Sequence, residues 1–260
     1  MTNSVTRDPG DRLRENSGGV RFVLVGTTHP GNIGASARAM KAMGFDQLDL
    51  VAPKTFPCAE ATAMASGADD VLANARVLPA LADALATCTL VVGTTARQRH
   101  LEWPVLSPRE AAARIAVAAA DGPVAIVFGR ERSGLSNAEL DLCHQAIRIP
   151  TNPDFNSLNL GQAVQVCAYE LRQAIVESAS AEPNNMDTDA DPLAASAELE
   201  RLHRHLVDVM TAVGYHDPAN PRLLERRLRR LLNRAGLHQS ETQILRGFLS
   251  AVERRCAKPD

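Results

Sequence analysis

The sequence lacks any long apolar run. No stretch of its 260 residues reaches the roughly 18 consecutive apolar residues that a membrane-spanning helix needs. The first nineteen residues are polar and rich in glycine, without the apolar segment of a secretory signal. We therefore expect neither a membrane segment nor export.

Paired cysteines are lacking as well. The five cysteines lie far apart, at positions 58, 88, 143, 167 and 256, and no two of them form a Cys-x-x-Cys pair. Zinc sites and disulfide frameworks are recognised by closely spaced or regularly paired cysteines. The pattern predicts no metal site and favours a reduced, cytoplasmic setting.

The common phosphate-binding fingerprints are missing. The segment Gly129-Arg130-Glu131-Arg132-Ser133-Gly134-Leu135 places two glycines around charged residues, but a P-loop has lysine where Leu135 stands. The Gly-x-Gly-x-x-Gly fingerprint of dinucleotide-binding folds occurs nowhere in the chain. The two commonest nucleotide-binding folds therefore lose support.

Lysine is nearly absent, with only Lys41, Lys54 and Lys258 among 28 basic residues. The remaining 25 are arginines, whose forked side chain suits phosphate, although GC-rich coding also raises arginine content. The net charge is −2, yet residues 193–260 carry twelve bases and eight acids, a net of +4. The basic part of the chain is its C-terminal region.

Short apolar runs alternate with helical patterns through the first two thirds of the chain. The strand patterns are 20–25, 48–51, 90–93, 124–128 and 146–149. The helical patterns are 34–43, 79–86, 107–120, 136–143 and 157–177. This alternation is typical of an α/β fold with a mostly parallel sheet covered by helices.

Composition divides the chain into four parts. We predict a disordered leader over 1–19, an α/β domain over 20–176, an acidic linker over 177–192 and a helical extension over 193–260. The extension contains helical patterns at 193–213, 221–235 and 240–256. In the second of these, Leu224, Leu228 and Leu231 form an apolar stripe that must pack against something.

Three polar segments follow predicted strands, where ligands bind in open α/β sheets. In the first, Asn32 is a candidate helix cap, Gly34 allows close approach of a backbone or ligand, and Arg38 faces the same crevice. In the second, the glycine-bracketed turn is followed by Ser136, another candidate cap. The third, 149–164, leads into a helix that Ser157 is suited to cap. Each segment alone also fits a simple helix cap with solvated side chains.

Taken together, these segments resemble the SPOUT superfamily of S-adenosylmethionine-dependent RNA methyltransferases, in its 2′-O-ribose (TrmH-like) branch. The resemblance covers about 20–176. It rests on Asn32-x-Gly34-x-x-Ala37-Arg38, on Gly129-x-Glu131-x-x-Gly134-Leu135, and on Ile149-Pro150 through Ser157-Leu158-Asn159-x-x-x-Ala163-Val164. Within the branch, the chain is similar to bacterial enzymes that methylate cytidine or uridine 32 of the tRNA anticodon loop.

The resemblance implies a fold and a cofactor. The fold is an α/β sheet whose C-terminal segment forms a trefoil knot, here with a small helical C-terminal domain added. The cofactor is S-adenosylmethionine, with no metal, held in the knot mostly by backbone groups. The implied cofactor-binding residues are Thr94, Thr95, Ala96, Gly129, Ile149, Asn156, Ser157 and Leu158.

The resemblance also implies a catalytic set. Arg38 acts on the ribose hydroxyl, with Asn32 and Ser157 as positioning residues. A guanidinium is a poor literal base, so we expect Arg38 to stabilise the developing alkoxide. We further expect Asn159 to brace the knot and Glu131 to accept backbone N–H bonds of the glycine turn. The family works as a homodimer, in which Arg38 reaches the partner's cofactor.

The arginine-rich extension is predicted to bind tRNA phosphates through Arg222, Arg226, Arg229 and Arg230. A dimerisation or packing role for these helices stays open. Three other functions also remain as alternatives. They are methylation of another RNA such as rRNA, a non-catalytic RNA-binding role, and an unrelated α/β enzyme that uses His29 or His144 as a base.

Overall fold

The computed structural model describes residues 19–96, 105–154, 157–180 and 191–256. Over these residues the chain forms one sheet of seven strands. In chain order they are β1 Val20–Val25, β2 Leu48–Val51, β3 Arg76–Leu78, β4 Leu90–Thr94, β5 Val105–Leu106, β6 Val124–Phe128 and β7 Gln145–Ile147.

All the strand pairs are parallel, and the strand order is β3-β2-β1-β6-β4-β7-β5. The central strand, β6, is buried along its whole length, as its unbroken apolar sequence predicts. Because every strand runs the same way, the loops that follow β1, β4, β6 and β7 meet at one edge of the sheet. The polar segments of the sequence lie at that edge.

Helices cover both faces of the sheet. They are α1 Pro30–Ala42, α2 Ala59–Ala65, α3 Asp69–Ala73, α4 Leu81–Leu85, α5 Pro108–Asp121, α6 Asn137–Asp141 and α7 Leu160–Ser180. The apolar sides of α1, α5 and α7 share one core with Phe22 and Phe128. Residues of α4 and α6 pack with Val23 and Val127 on the other face.

The predicted α/β layout is confirmed, with some differences at the ends of elements. β3, β5, α2 and α3 have no counterpart in the sequence prediction, because they are short and have little apolar periodicity. α1 begins at Pro30 rather than at 34, since proline suits a first helical turn. α7 continues to Ser180, so the start of the predicted acidic linker is helical.

The extension forms three packed helices, α8 Ser196–Ala212, α9 Leu224–Ala235 and α10 Gln239–Cys256. Their shared core contains Leu202, Val209, Leu232 and Leu249. The predicted stripe is wrong at its third position, because Leu231 is 52% exposed whereas its neighbour Leu232 is buried. Which leucine is covered depends on the side from which α8 and α10 pack. The periodicity of the α9 sequence gives no information about that side.

The extension is attached directly to the α/β domain. The backbone N–H and the hydroxyl of Ser196 both donate to the carbonyl oxygen of Cys88, each at 2.9 Å. The N–H of Ala197 donates to the carbonyl oxygen of Ala86 at 3.2 Å. These bonds use the free N–H groups of the first turn of α8, so this helix starts against the domain rather than in solvent.

Two further observations apply to the described ranges only. Within them, no helix combines the length and apolarity that a bilayer crossing requires. The same residues contain no group of three or more His, Cys, Asp or Glu side chains placed to hold a metal ion.

Gly34 is the point of closest contact between α1 and α2. A Cβ atom at Gly34 would lie 2.0 Å from the carbonyl oxygen of Ala61 and 2.8 Å from the amide nitrogen of Ala65. The close approach predicted at this glycine is therefore that of a neighbouring backbone. A backbone neighbour cannot rotate away, so the two helices must separate to admit a side chain.

We expect Gly34→Ala to lower the free energy of unfolding by about 2 kcal/mol or more, because the added methyl group overpacks this contact. Urea denaturation followed by circular dichroism measures the change. The control is Gly247→Ala in α10, where an added Cβ meets nothing within 4 Å. That variant should gain about 0.5 to 1 kcal/mol from helix propensity. Equal stability of the two variants would contradict the contact.

Candidate active site

A cavity of about 230 Å³ lies at the carboxyl edge of the sheet, where β4, β6 and β7 end. It is bordered by the residues predicted to hold a cofactor: Thr94, Thr95, Ala96, Gly129, Ile149, Ser157 and Leu158. The eighth predicted residue, Asn156, lies outside the described residues. Segments separated by more than fifty positions in sequence therefore converge on one cavity.

The cavity has an apolar side and a polar side. Buried or partly buried apolar side chains that line it include Phe128, Leu135, Ile147, Leu160 and Ala163. The polar lining includes the threonines after β4 and the charged turn after β6. A ligand with a flat apolar part and several hydrogen-bonding groups fits such a lining.

Backbone bonds hold the walls of the cavity in place. The N–H of Thr95 donates to the carbonyl oxygen of Ile147 at 2.9 Å, and the hydroxyl of Thr94 donates to that of Val127 at 3.1 Å. These bonds connect the end of β4 to both neighbouring strands. The loop after β4 therefore starts from a fixed point.

The charged turn after β6 closes on itself. The N–H of Gly134 donates to the carbonyl oxygen of Arg130 at 2.8 Å, and a bond runs back from Arg130 to Gly134 at 3.3 Å. A Cβ atom on Gly129 would come within 2.1 Å of the Gly134 carbonyl carbon, so only glycine fits there. Ser136 then caps α6, as predicted, by accepting from the N–H of Glu139 at 3.2 Å.

Glu131 connects this turn to the loop after β1. Its carboxylate accepts from the backbone N–H groups of Thr28 and His29, from the Thr28 hydroxyl at 2.7 Å, and from the side-chain amide of Asn32 at 2.9 Å. Burial alone would raise the pKa of Glu131, but these bonds outweigh it and lower the pKa to about 2. Glu131 therefore accepts from backbone N–H groups, but both of these donors, Thr28 and His29, belong to the loop after β1 rather than to the glycine turn for which the bonds were expected.

Asn32 extends the connection to the third segment. The side-chain amide of Asn159 donates to the Asn32 side-chain oxygen at 2.8 Å, and its own oxygen accepts from the N–H of Gly161 at 2.9 Å. The sequence assigned helix caps to Asn32 and Ser157, and both assignments are wrong. Asn32 lies inside α1, and Asn159 is the residue that bonds the first turn of α7.

Arg38 lies apart from this cavity. It is exposed on α1 and is not among the residues that line the cavity. Within the described ranges no hydrogen bond or ion pair engages its guanidinium. Ser157, by contrast, borders the cavity. One chain therefore brings together the predicted cofactor-binding residues but not the predicted catalytic arginine.

The four arginines predicted to bind RNA have different surroundings. Arg226 forms a two-bonded ion pair with Asp141, at 2.6 and 3.0 Å. Arg229 is paired with Glu200 and also lies 3.3 Å from a ring nitrogen of His203. Arg222 is exposed and Arg230 half-buried. Other arginines of the extension are exposed and outside the predicted set, and they include Arg227, Arg234, Arg246, Arg254 and Arg255.

Neither histidine considered as a base lies in a catalytic arrangement. His144 is buried, its Nδ1 accepts from the N–H of Val91 at 3.0 Å, and burial lowers its pKa to about 4. It therefore holds the start of β7 against β4. His29 is exposed at the first loop, where its backbone N–H bonds Glu131. An unrelated enzyme based on these histidines loses support.

Comparison with known proteins gives consistent matches over nearly the whole chain. The family described as SpoU rRNA Methylase matches residues 19–169, and the TrmJ C-terminal domain family matches residues 197–260. The tRNA (cytidine/uridine-2′-O-)-methyltransferase TrmJ of Yersinia enterocolitica is 45% identical, over 92% of this chain and 93% of its own. The TrmJ of Sodalis glossinidius is 47% identical over 90% of this chain and 91% of its own.

Solved structures agree with this result. The crystal structure of TrmJ from Z. mobilis ZM4 is 39% identical and superposes with a TM-score of 0.79. The match covers 90% of this chain and 98% of that one. The similarity therefore includes both the α/β domain and the extension.

The low pKa of Glu131 predicts a pH-dependent contribution to stability. At neutral pH we expect Glu131→Gln to lower the unfolding free energy by about 1 to 2 kcal/mol, because a neutral amide bonds the N–H donors more weakly. The folded pKa of about 2 lies below the ordinary 4.5. The advantage of the carboxylate is thus complete above about pH 5.5 and shrinks as the pH falls through 4.5 towards 2.

Urea denaturation at several pH values measures the difference between wild type and variant. Asp208→Asn, at an exposed carboxylate in the interior of α8, serves as the matched control and should show a negligible difference at every pH. A difference for Glu131→Gln that stays constant between pH 7 and pH 3 would show that ionisation of this carboxylate does not hold the loops.

Proposed function

We infer that this chain, which belongs to the SpoU rRNA Methylase family and within it to the TrmJ tRNA methyltransferases, methylates ribose 2′-oxygens of cytidine or uridine in tRNA. The observation that carries this function is the cavity after β4, β6 and β7, because seven residues expected at a methyl-donor site border it. The alternatives, methylation of rRNA and non-catalytic RNA binding, are outcomes of the tests below.

S-adenosylmethionine is the methyl donor we propose for the cavity. The lining fits this molecule, since apolar side chains such as Leu135 and Ile147 suit an adenine ring, and the ends of three strands offer backbone groups. The donor has no phosphate, which accords with the missing phosphate-binding fingerprints. When bound, it supplies a methyl group activated by a sulfonium. The role of Thr95, Gly129 and Ile149 is to hold and orient it.

We propose that the chain after β7 is knotted. β7 lies between β4 and β5, although β4 and β5 follow one another in the chain. A segment that enters the sheet late must pass the earlier connection between those two strands. That connection includes residues 97–104, which lie outside the described ranges. The strand order supports a trefoil knot, a rare topology.

In the mechanism we propose, Arg38 acts on the ribose. A 2′-hydroxyl must release its proton, here to solvent, as its oxygen forms a bond to the transferred methyl carbon, and the guanidinium stabilises the negative charge that develops on that oxygen. The exposure of Arg38 and its lack of ion pairs within the described ranges leave its donors available. Asn32 holds α1 in position relative to the cofactor loops through its hydrogen bond to Glu131. Ser157 is a positioning residue at the border of the cavity.

We propose that the active unit is a homodimer. Arg38 does not border the cavity of its own chain, yet the reaction needs a donor at the ribose oxygen. A second copy that places its Arg38 beside this cavity completes the site. Each dimer then contains two sites, and each site combines cofactor loops from one chain with the arginine of the other.

The extension is the proposed tRNA-binding surface. Arg222, Arg227 and Arg234 are exposed, and no ion pair engages them within the described ranges. Arginines of this kind bind phosphates and give salt-dependent affinity with little base discrimination. Arg226 and Arg229, which the sequence also predicted to bind RNA, are already paired with carboxylates.

Nucleotide 32 of the anticodon loop is the target we propose, on the strength of the motif resemblance. Methylation of tRNA also accords with the cytoplasmic location that the scattered cysteines favour. Among the described residues, Cys58, Cys88, Cys167 and Cys256 are free thiols.

Arg38→Ala tests the mechanism. We expect the rate of tRNA methylation to fall by roughly 10²-fold or more, the range for losing one preorganised donor, with cofactor affinity retained. Single-turnover methylation and calorimetry with S-adenosylhomocysteine give the two quantities. Arg114→Ala removes an equally exposed arginine from α5 and should leave both unchanged. Near-normal turnover of the Arg38 variant would refute the assignment.

Ribose-methylation mapping tests the substrate. In tRNA from cells that lack this protein, we expect the 2′-O-methyl group at nucleotide 32 to disappear and to return when the gene is restored. Restoration with Arg38→Ala is the matched control and should leave the site unmethylated. Loss confined to rRNA would support the first alternative, and an unchanged map of both RNAs would support the non-catalytic one.

A further inference from the structure

The short helix α6 lies between the candidate active site and the extension. It follows directly on the charged turn that borders the cavity, and it leads into β7. Its five residues carry two carboxylates with forked arginine partners, Glu139 and Asp141. The two arginines come from opposite sides, one from the cavity turn and the other from the extension.

On the cavity side, Arg130 is bonded to Glu139. Its two terminal nitrogens donate to the two carboxylate oxygens at 3.0 and 2.9 Å. A Cβ atom on Gly26 would come within 2.7 Å of the Arg130 side chain, so this arginine lies closely over the end of β1. The turn that borders the cavity is therefore coupled to α6, because Arg130 lies in the turn and its bonding partner Glu139 lies in the helix.

On the other side, two residues of α9 bond the end of α6. Arg226 donates from Nε to one oxygen of Asp141 at 2.6 Å, and from a terminal nitrogen to the other at 3.0 Å. The side-chain amide of Asn233 donates to the backbone carbonyl oxygen of Asp141 at 3.1 Å. Asp141 is only 8% exposed, so water competes little for this pair.

The spacing along α9 gives this contact a geometric consequence. Arg226 and Asn233 are seven residues apart, about two helical turns, and therefore share one face of the helix. Arg227 and Arg234 each lie one position further along and are exposed. Because Arg226 and Asn233 are held against α6, the orientation of α9 is fixed, and with it the direction in which Arg227 and Arg234 point.

We propose that Asp141 and Arg226 are positioning residues for methyl transfer, whose ion pair holds the RNA-binding face of α9 in a set orientation to the cofactor cavity. The inference rests on the proposed function, since it assigns a role within tRNA methylation. It differs from the sequence prediction, in which Arg226 binds phosphate. A fork filled by a partly buried carboxylate is not available to RNA, because leaving Asp141 unpaired would be costly.

The test is a double-mutant cycle on the full-length enzyme with tRNA. Asp141→Asn and Arg226→Gln each remove one charge of the ion pair and leave a polar side chain in its place. We expect each to lower the single-turnover rate at saturating enzyme by roughly tenfold, because bound tRNA is presented in less productive orientations. The double variant should show the same roughly tenfold loss, because both changes break one interaction.

Two further measurements separate positioning from other roles. The affinity for S-adenosylhomocysteine should match wild type, which excludes general unfolding. The slope of log affinity for tRNA against log salt should also match, because no phosphate contact is lost. Arg227→Gln, which removes one of the proposed phosphate contacts, is the comparison variant and should lower that slope by about 0.9. Arg226→Lys, which keeps the charge but loses the fork, should have an intermediate rate.

Independent effects that multiply to roughly a hundredfold in the double variant would overturn the inference. A slope change in Arg226→Gln equal to that of Arg227→Gln would overturn it too, and would return Arg226 to phosphate binding. Wild-type single-turnover rates in both single variants would also overturn the inference. A wild-type enzyme that leaves tRNA unmethylated would contradict the proposed function instead, so the two failures are distinguishable.

Discussion

The ionised carboxylate of Glu131 is the interaction on which the candidate site depends. It accepts from two backbone N–H groups, a hydroxyl and an amide, and all four donors belong to the loop after β1 or the start of α1. Without this carboxylate, the N–H donors of the loop after β1 would face the turn after β6 with no acceptor. Asn32 and Asn159 continue the chain of bonds to α7, so one charged group registers three separate segments.

The loops proposed to bind the cofactor were implied by the family resemblance, and the strand topology explains why they meet in one place. Parallel strands end at one edge, and the residues after 94, 128 and 147 must meet there whatever their side chains do. The partners within that edge were harder to predict. Asn32 looked like a helix cap, since caps and inter-loop bonds use the same residue types. Only the placement of Glu131, 99 positions from Asn32, distinguishes the two uses.

The extension illustrates the opposite limit. Arginine-rich α9 could be predicted as a helix, but not which arginines face solvent. Arg226 and Arg227 are neighbours in sequence, and one is paired with Asp141 while the other is exposed. The difference comes from α6, which lies 85 positions away from Arg226 in the chain. Likewise, the choice between Leu231 and Leu232 as the buried residue depends on where α8 and α10 pack.

The position of Arg38 explains why binding and chemistry are separable in such an enzyme. Among the described residues, the cavity is bordered by segments of a single chain, which include the end of β4, the turn after β6 and the segment after β7. The proposed catalytic guanidinium lies outside that cavity, exposed on a helix whose register is held by Asn32 and Glu131. In the dimer that we propose, a methyl donor binds the cavity of each chain, and transfer requires a second copy and the RNA to bring an arginine and a ribose to the same place. Such a division would restrict reaction of the sulfonium to the moment when its intended acceptor is present.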